Sequence, residues 1–127
     1  MTAEQAIEAA NGLRPGNQFT SQRKYRWLRQ ADGVLRAMVI SRSETQEYQY
    51  RGADLAEEDA PLDTVELLAP APFDGMYVHY LCGQMDAALG EADRANNELA
   101  QYNSLSGGFA AFVRRSCPPR AGAAFRW

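Results

Sequence analysis

His79, Cys82 and Asp86 fall at i, i+3 and i+7, a spacing that sets an imidazole, a thiol and a carboxylate along one side of a helix. Such a trio can begin a metal site, but it needs further ligands from elsewhere. The other cysteine, Cys117, is far away and makes no CxxC spacing. His79 is the single histidine of the chain. With no nucleophile motif beside it, it does not head a triad. These residues therefore predict no catalytic group, no metal and no cofactor, and a chain that is not an enzyme. His79 reads as a surface or interface residue, and both cysteines as free thiols.

Charge is more informative by position than by sum. The 127 residues carry a net charge of −3, which argues against nucleic-acid binding through bulk charge. Residues 41–70 concentrate the acids Glu44, Glu47, Asp54, Glu57, Glu58, Asp59, Asp63 and Glu66, against only Arg42 and Arg51. No Asp-x-Asp-x-Asp-Gly pattern is present there, so the acids do not read as a calcium loop. Residues 111–127 show the reverse, with Arg114, Arg115, Arg120 and Arg126 and no acid. A third cluster, Arg23, Lys24, Arg26, Arg29 and Arg36, repeats at helical spacing. Two readings of that stripe stand side by side. One is a phosphate-binding face with Tyr25 and Trp27 as stacking aromatics. The other is a solvated or inter-subunit face, with Arg23 and Arg26 turned to a neighbour.

The elements that position these groups are mostly helical. Thr2 and Gln5 form a capping-box pattern ahead of Ala6, Ile7 and Ala10, and Asn11-Gly12 reads as the stop. Pro15-Gly16-Asn17 is a turn. Thr20 or Ser21 caps a second helix whose apolar face is read as Trp27, Leu28, Ala31, Val34, Leu35, Met38 and Val39. Residues 41–70 have no strong period, although Glu47-Tyr48-Gln49-Tyr50 alternates and could pair as a short strand. A thirty-residue segment of that kind is functional, or orders on a partner, far more often than it is a plain connection. Pro72 suits the first turn of a third helix burying Phe73, Tyr77, Leu81, Met85 and Ala88 or Leu89. Gly90-Glu91 breaks it. A fourth helix then runs to about Cys117 with a heptad seam of Ala92, Ala95, Leu99, Tyr102, Ser106, Phe109 and Val113. Leu105 and Phe112 add apolar surface beyond that seam, which predicts an inter-subunit contact. Pro118-Pro119 ends the helix.

The predicted fold is all-α: a small helical bundle with a long C-terminal helical hairpin. Residues 1–117 form one helical domain, in which 41–70 are a long acidic loop, and 118–127 form an extended C-terminal arm. No apolar run approaches membrane-spanning length, and neither a signal pattern nor a disulfide framework is evident, so the expected setting is a reducing cytoplasm.

In order along the chain, several stretches resemble one family. They are Asn11-Gly12-Leu13-Arg14-Pro15, Lys24-Tyr25-Arg26-Trp27-Leu28, Asp32-Gly33, Leu67-Leu68-Ala69-Pro70-Ala71-Pro72-Phe73-Asp74, Gly90-Glu91, Asn96-Asn97, Tyr102-Asn103 and Phe109-Ala110-Ala111-Phe112. The family is the helical head–tail connector (adaptor, head-completion) proteins of long-tailed bacteriophages and prophages. The pattern departs at Ala95, where the family tends to carry tyrosine, and at Gly107-Gly108, where a bulkier pair is usual. Mid-helix glycines cost roughly 1 kcal/mol each, so a bend or a close approach is expected at 107–108.

The resemblance implies a homo-oligomeric ring, of twelve subunits, seated on the portal protein in the virion neck after assembly in the host cytoplasm. It would join the capsid to a stopper or tail-completion protein and pass genomic DNA through its lumen without sequence-specific contact or any membrane. The acidic side chains Glu57, Glu58, Asp59 and Asp63 would then repel phosphate along the channel. Two aromatics and two arginines in the arm suit interface anchors. Phe125 and Trp127 are expected to fill pockets on the portal or an adjacent subunit, with Arg120 and Arg126 meeting acids there. The other class in play is a small helical nucleic-acid-binding protein, such as a terminase small subunit or regulator, using Arg23, Lys24, Arg26 and Arg29.

Overall fold

The computed structural model describes residues 1–43, 45 and 47–117. Four helices among the described residues, α1 (Ala3–Leu13), α2 (Ser21–Met38), α3 (Met76–Ala88) and α4 (Ala92–Ser116), give an all-α fold. Single 3-10 turns at Ile40–Arg42, Leu62–Thr64 and Phe73–Gly75 punctuate the connections. Among the described residues there is no strand. The predicted pairing at residues 47–50 is a turn instead, because Tyr48 is drawn inward and meets Phe109 edge-on at 5.6 Å between ring centroids. An extended pairing forms as an antiparallel bridge between Thr2 and Glu66, with Ala3 N–H donating to Val65 O and Leu67 N–H to Met1 O.

The capping box of α1 closes as expected. Gln5 N–H donates to Thr2 Oγ1 at 3.2 Å, and Thr2 N–H donates to Gln5 Oε1 at 2.9 Å. The helix does not stop at Asn11-Gly12 but continues to Leu13. Asn11 is held in place by tertiary bonds, its Oδ1 accepting from Lys24 Nζ at 2.6 Å and Asn17 Nδ2 at 3.1 Å. The reversal comes later, at Gly16, whose φ of +75° suits a residue without Cβ.

Thr20 caps α2 by accepting from Arg23 N–H at 3.1 Å. The face that α2 buries is rotated from the one its hydrophobicity suggests. Lys24, Tyr25, Leu28, Ala31, Asp32 and Leu35 go inside, while Val34 and Met38 stay 52% and 56% exposed. The rotation follows from two polar side chains that find partners in the interior, Lys24 on Asn11 and Asp32 on the loop and Tyr77.

Helix α3 is the centre of the fold and packs on α1, α2 and α4. It begins at Met76, after the Phe73–Gly75 turn, rather than at Pro72; the Ala71–Pro72 peptide is cis. Met76, Tyr77, Leu81 and Met85 are buried along it, with Tyr80 and Cys82. Ala88 and Leu89 are exposed, because the chain leaves the core there and turns at Gly90, φ +78°.

Helix α4 keeps the predicted seam in part. Ala95, Phe109 and Val113 are buried, Leu99, Tyr102 and Ser106 are half-buried, and Ala92 is exposed. A Cβ on Gly108 would stand 3.4 Å from the Phe73 ring, so this glycine marks the expected close approach, whereas Gly107 faces open space. Gly83 marks a close approach between α3 and α4, where an added Cβ would meet Leu99 Cγ and Cδ2 at 3.0 Å. Gly83→Val, which adds a branched side chain to a filled contact, is expected to cost about 2 kcal/mol in urea unfolding. A variant as stable as the wild type would show that this hairpin is loosely packed.

Candidate interaction site

Two polar constructions stand out, and neither resembles a catalytic centre. The first fastens the acidic loop to α2. Asp32 is completely buried, and its carboxylate has no cation partner among the contacts it makes. Its Oδ2 accepts from Ala53 N–H at 2.8 Å and Leu68 N–H at 3.0 Å, and its Oδ1 accepts from the Tyr77 hydroxyl at 2.5 Å. The Tyr77 oxygen in turn accepts from Ala69 N–H at 2.8 Å. One carboxylate thus joins α2, the middle and the end of the loop, and α3. Burial pushes the Asp32 carboxyl up to about 6, against the opposing pull of its hydrogen bonds from Tyr77, Ala53 and Leu68. Burial, and then the Asp32 charge, push the Tyr77 phenol well above its ordinary value.

The same helix grips the loop along its length. Tyr25 Oη donates to Glu57 O at 2.8 Å, and Arg29 donates from Nε to Ala53 O and from Nη2 to Ala56 O, both at 3.2 Å. Arg36 donates to Tyr48 O at 3.2 Å and Arg51 O at 2.5 Å, and forks onto Asp54 at 2.6 and 3.1 Å. Arg51 closes the far side by donating to Leu67 O at 3.2 Å. Gly52 is obligatory in this clamp. Its φ is +131°, and a Cβ there would fall 2.6 Å from Asp54 Oδ1 and 2.7 Å from Arg36 Nη2. Most of these bonds are from side chain to main chain, so the loop is held largely by its backbone, and the side chains at 55 and 57–59 are left to face outward.

The predicted site residues fall into place around this clamp. Glu57, Glu58, Asp59 and Asp63 are exposed on the loop. Only Glu58 of these touches a described cation, Arg29 at 3.3 Å, and with 70% of its side chain exposed that pair adds little. The basic stripe of α2 is not a continuous phosphate-binding face. Lys24 is buried on Asn11, and Arg29 and Arg36 are engaged by the loop. Arg23 is exposed but stacked over Phe19 and Trp27 at 5.0 and 5.1 Å, and Arg26 is exposed. Trp27 is half-buried against Phe19. Leu105 and Phe112 are half-buried as well. Phe112 lies 5.6 Å from Phe73 between centroids, and Leu105 lies beside Gly75, so much of their apolar surface is covered within the subunit. Arg120, Phe125, Arg126 and Trp127 lie outside the described residues.

The second construction joins the ends of three helices. Arg14, just past α1, forks onto Asp86 of α3 at 2.9 and 2.8 Å and donates to Glu98 of α4 at 3.1 Å. Glu98 also lies 2.7 Å from His79 Nδ1. The Arg14 hydrogen bond holds the Asp86 carboxyl below the usual carboxylate range, and burial pushes the Cys82 thiol up to about 11. Asp86 and, through Glu98, His79 therefore belong to one polar cluster around Arg14, with Cys82 a buried thiol, and among the described residues no group of three or more His, Cys, Asp or Glu could hold a metal ion.

Sequence reasoning missed the clamp. Its one visible signal was Asp32, a charged residue set between Leu28 and Leu35 on the apolar stripe, inside the Asp32-Gly33 pair. Among the described residues no helix is long and apolar enough to cross a membrane. No protein-family model, no curated protein and no solved structure matches this chain.

Proposed function

We propose that the chain is a structural virion protein, a head–tail connector that forms a ring on the portal, joins the capsid to the stopper and tail, and lines the DNA exit channel. The ordered run of sequence resemblances supports the family. The observation that carries the role is the clamped loop: an acidic surface, Glu57, Glu58, Asp59 and Asp63, displayed on a backbone fixed by α2. A fixed negative wall repels phosphate and lets duplex DNA pass without sticking. A nucleic-acid-binding role has less support, since three of the five cations on α2 are engaged within the subunit.

Native mass spectrometry and negative-stain microscopy of the purified chain with a portal ring test this reading, which expects a bound ring. Deleting residues 118–127 is expected to abolish attachment while leaving helicity by circular dichroism unchanged. Attachment at full strength after the deletion would overturn the role assigned to the arm. Tight, steeply salt-dependent binding to duplex DNA would favour the nucleic-acid class instead.

A further inference from the structure

Two large apolar side chains of the acidic loop, Tyr50 and Leu55, stay 81% and 53% exposed although the backbone beneath them is fixed. With Ala56 and the buried Val65 they line an open pocket of about 240 Å³. A cavity of about 150 Å³ accommodates benzene, so this pocket has room for one larger aromatic ring. Glu66 lines it as well, exposed and with the Met1 amine 3.6 Å away. Arg51 forms another wall, but its guanidinium is engaged, with Nε donating to Leu67 O at 3.2 Å and the group stacked over the Tyr48 ring.

Helix α4 ends at the same corner of the molecule. Its Phe109 ring meets Tyr48 at 5.6 Å between centroids, and the Arg51 guanidinium lies 5.8 Å from that Tyr48 ring. The Tyr48 phenol, raised chiefly by burial, also feels Cys117 at the end of α4. From Cys117 back to Phe109 is about 12 Å along the helix. Even laid end to end, those steps stay within the about 33–36 Å that the ten residues 118–127 can span when extended.

The composition of that segment matches what it can reach. Trp127 suits the apolar walls, and Arg126 beside it suits Glu66. We propose that Trp127 of the same chain fills this pocket, with Arg126 on Glu66, so that residues 118–127 strap α4 to the loop. The same copy is favoured over a second one by the short tether. A tether of this length holds its end at an effective concentration roughly in the millimolar range, well above that of a neighbouring chain in dilute solution. A segment held in this way is withheld from any other partner until the pocket gives it up. The inference goes beyond the connector reading, because it concerns the isolated chain and needs no portal.

Fluorescence of the full chain tests it, in a Trp27→Phe background that leaves Trp127 as the single tryptophan. Acrylamide is expected to quench Trp127 roughly threefold less efficiently than it quenches a free peptide of residues 118–127, because a pocket buries most of the surface of what fills it. The protection should not change between about 1 and 100 µM chain, as a tethered contact requires. Leu55→Lys and Tyr50→Ala, both at exposed positions, should return quenching to the level of the peptide while circular dichroism stays that of the folded chain. Glu66→Lys should weaken the protection, and adding Arg126→Glu to it should restore it. Quenching of the parent chain at the peptide level would overturn the proposal, as would protection that ignores Leu55→Lys or a charge swap that fails to restore it. Protection that grows with concentration would overturn it too, by placing the ring on a second copy. A chain that shows this contact but ignores the portal would refute the connector reading and leave the strap standing.

Discussion

Asp32→Ala is expected to destabilise the fold by about 3 kcal/mol at pH 7, whereas Asp32→Asn should fall within about 1 kcal/mol of wild type. Alanine leaves Ala53 N–H, Leu68 N–H and the Tyr77 hydroxyl without an acceptor, at about 1–3 kcal/mol each. The change also removes a buried charge. With the carboxyl raised from 3.8 to about 6, that charge costs the folded state about 3 kcal/mol at neutral pH. Asparagine removes the same charge, keeps an oxygen for the two backbone donors and leaves only the Tyr77 proton unplaced.

The sign of the pH dependence separates this account from a simple loss of packing. The folded protein holds a proton on Asp32 that the unfolded chain has already released between pH 3.8 and about 6. The Asp32 contribution is therefore fully present below about pH 4 and is lost as pH rises through 6. Asp86 runs the opposite way. Its carboxyl is lowered by Arg14, so its contribution is present at neutral pH and is lost as pH falls below the ordinary carboxylate value. Comparing wild type with Asp32→Asn cancels the Asp86 effect. Urea melts should show the two nearly equal at pH 7 and wild type ahead by about 3 kcal/mol near pH 4. A pH-independent difference would mean that the Asp32 carboxyl binds its proton no more tightly in the folded protein than in the unfolded chain.

Arg36→Met is expected to cost about 3–4 kcal/mol, because it leaves Asp54, only 15% exposed, without its cation and strips two or more loop carbonyls of their donor. Arg36→Lys should recover less than half of that. An ammonium cannot fork onto Asp54 and still reach the carbonyls of Tyr48 and Arg51. Hydrogen exchange should show the loss locally, with amides at 48–56 opening first while those in the middle of α3 and α4 stay protected. A lysine variant with wild-type stability and protection would mean that the guanidinium fork is incidental.

Local signals carried most of the fold into the sequence. The Thr2 capping box, the Thr20 cap, the Gly90 break and the long helical period after it depend on residues a few positions apart, and all four helices form where they indicate. The boundaries slipped where a distant partner intervened, as at Asn11, which Lys24 and Asn17 keep helical. The buried face of α2 was misjudged because counting apolar residues favours Val34 and Met38, and nothing in the periodicity says that Asp32 has three donors waiting for it. The clamp was illegible for a deeper reason. Arg29 and Arg36 bind carbonyl oxygens, and every residue has one, so such partners leave no trace in residue types.

That choice of partner has a consequence for how the molecule can change. A loop held through its amides and carbonyls keeps its path whatever side chains it carries outward, provided Gly52 and Asp54 remain. Leu55, Glu57, Glu58 and Asp59 therefore form a cassette that can be rewritten while the frame beneath it stays the same. Substitutions there should alter what the surface meets without altering whether the chain folds, so the loop can be diversified or grafted in isolation.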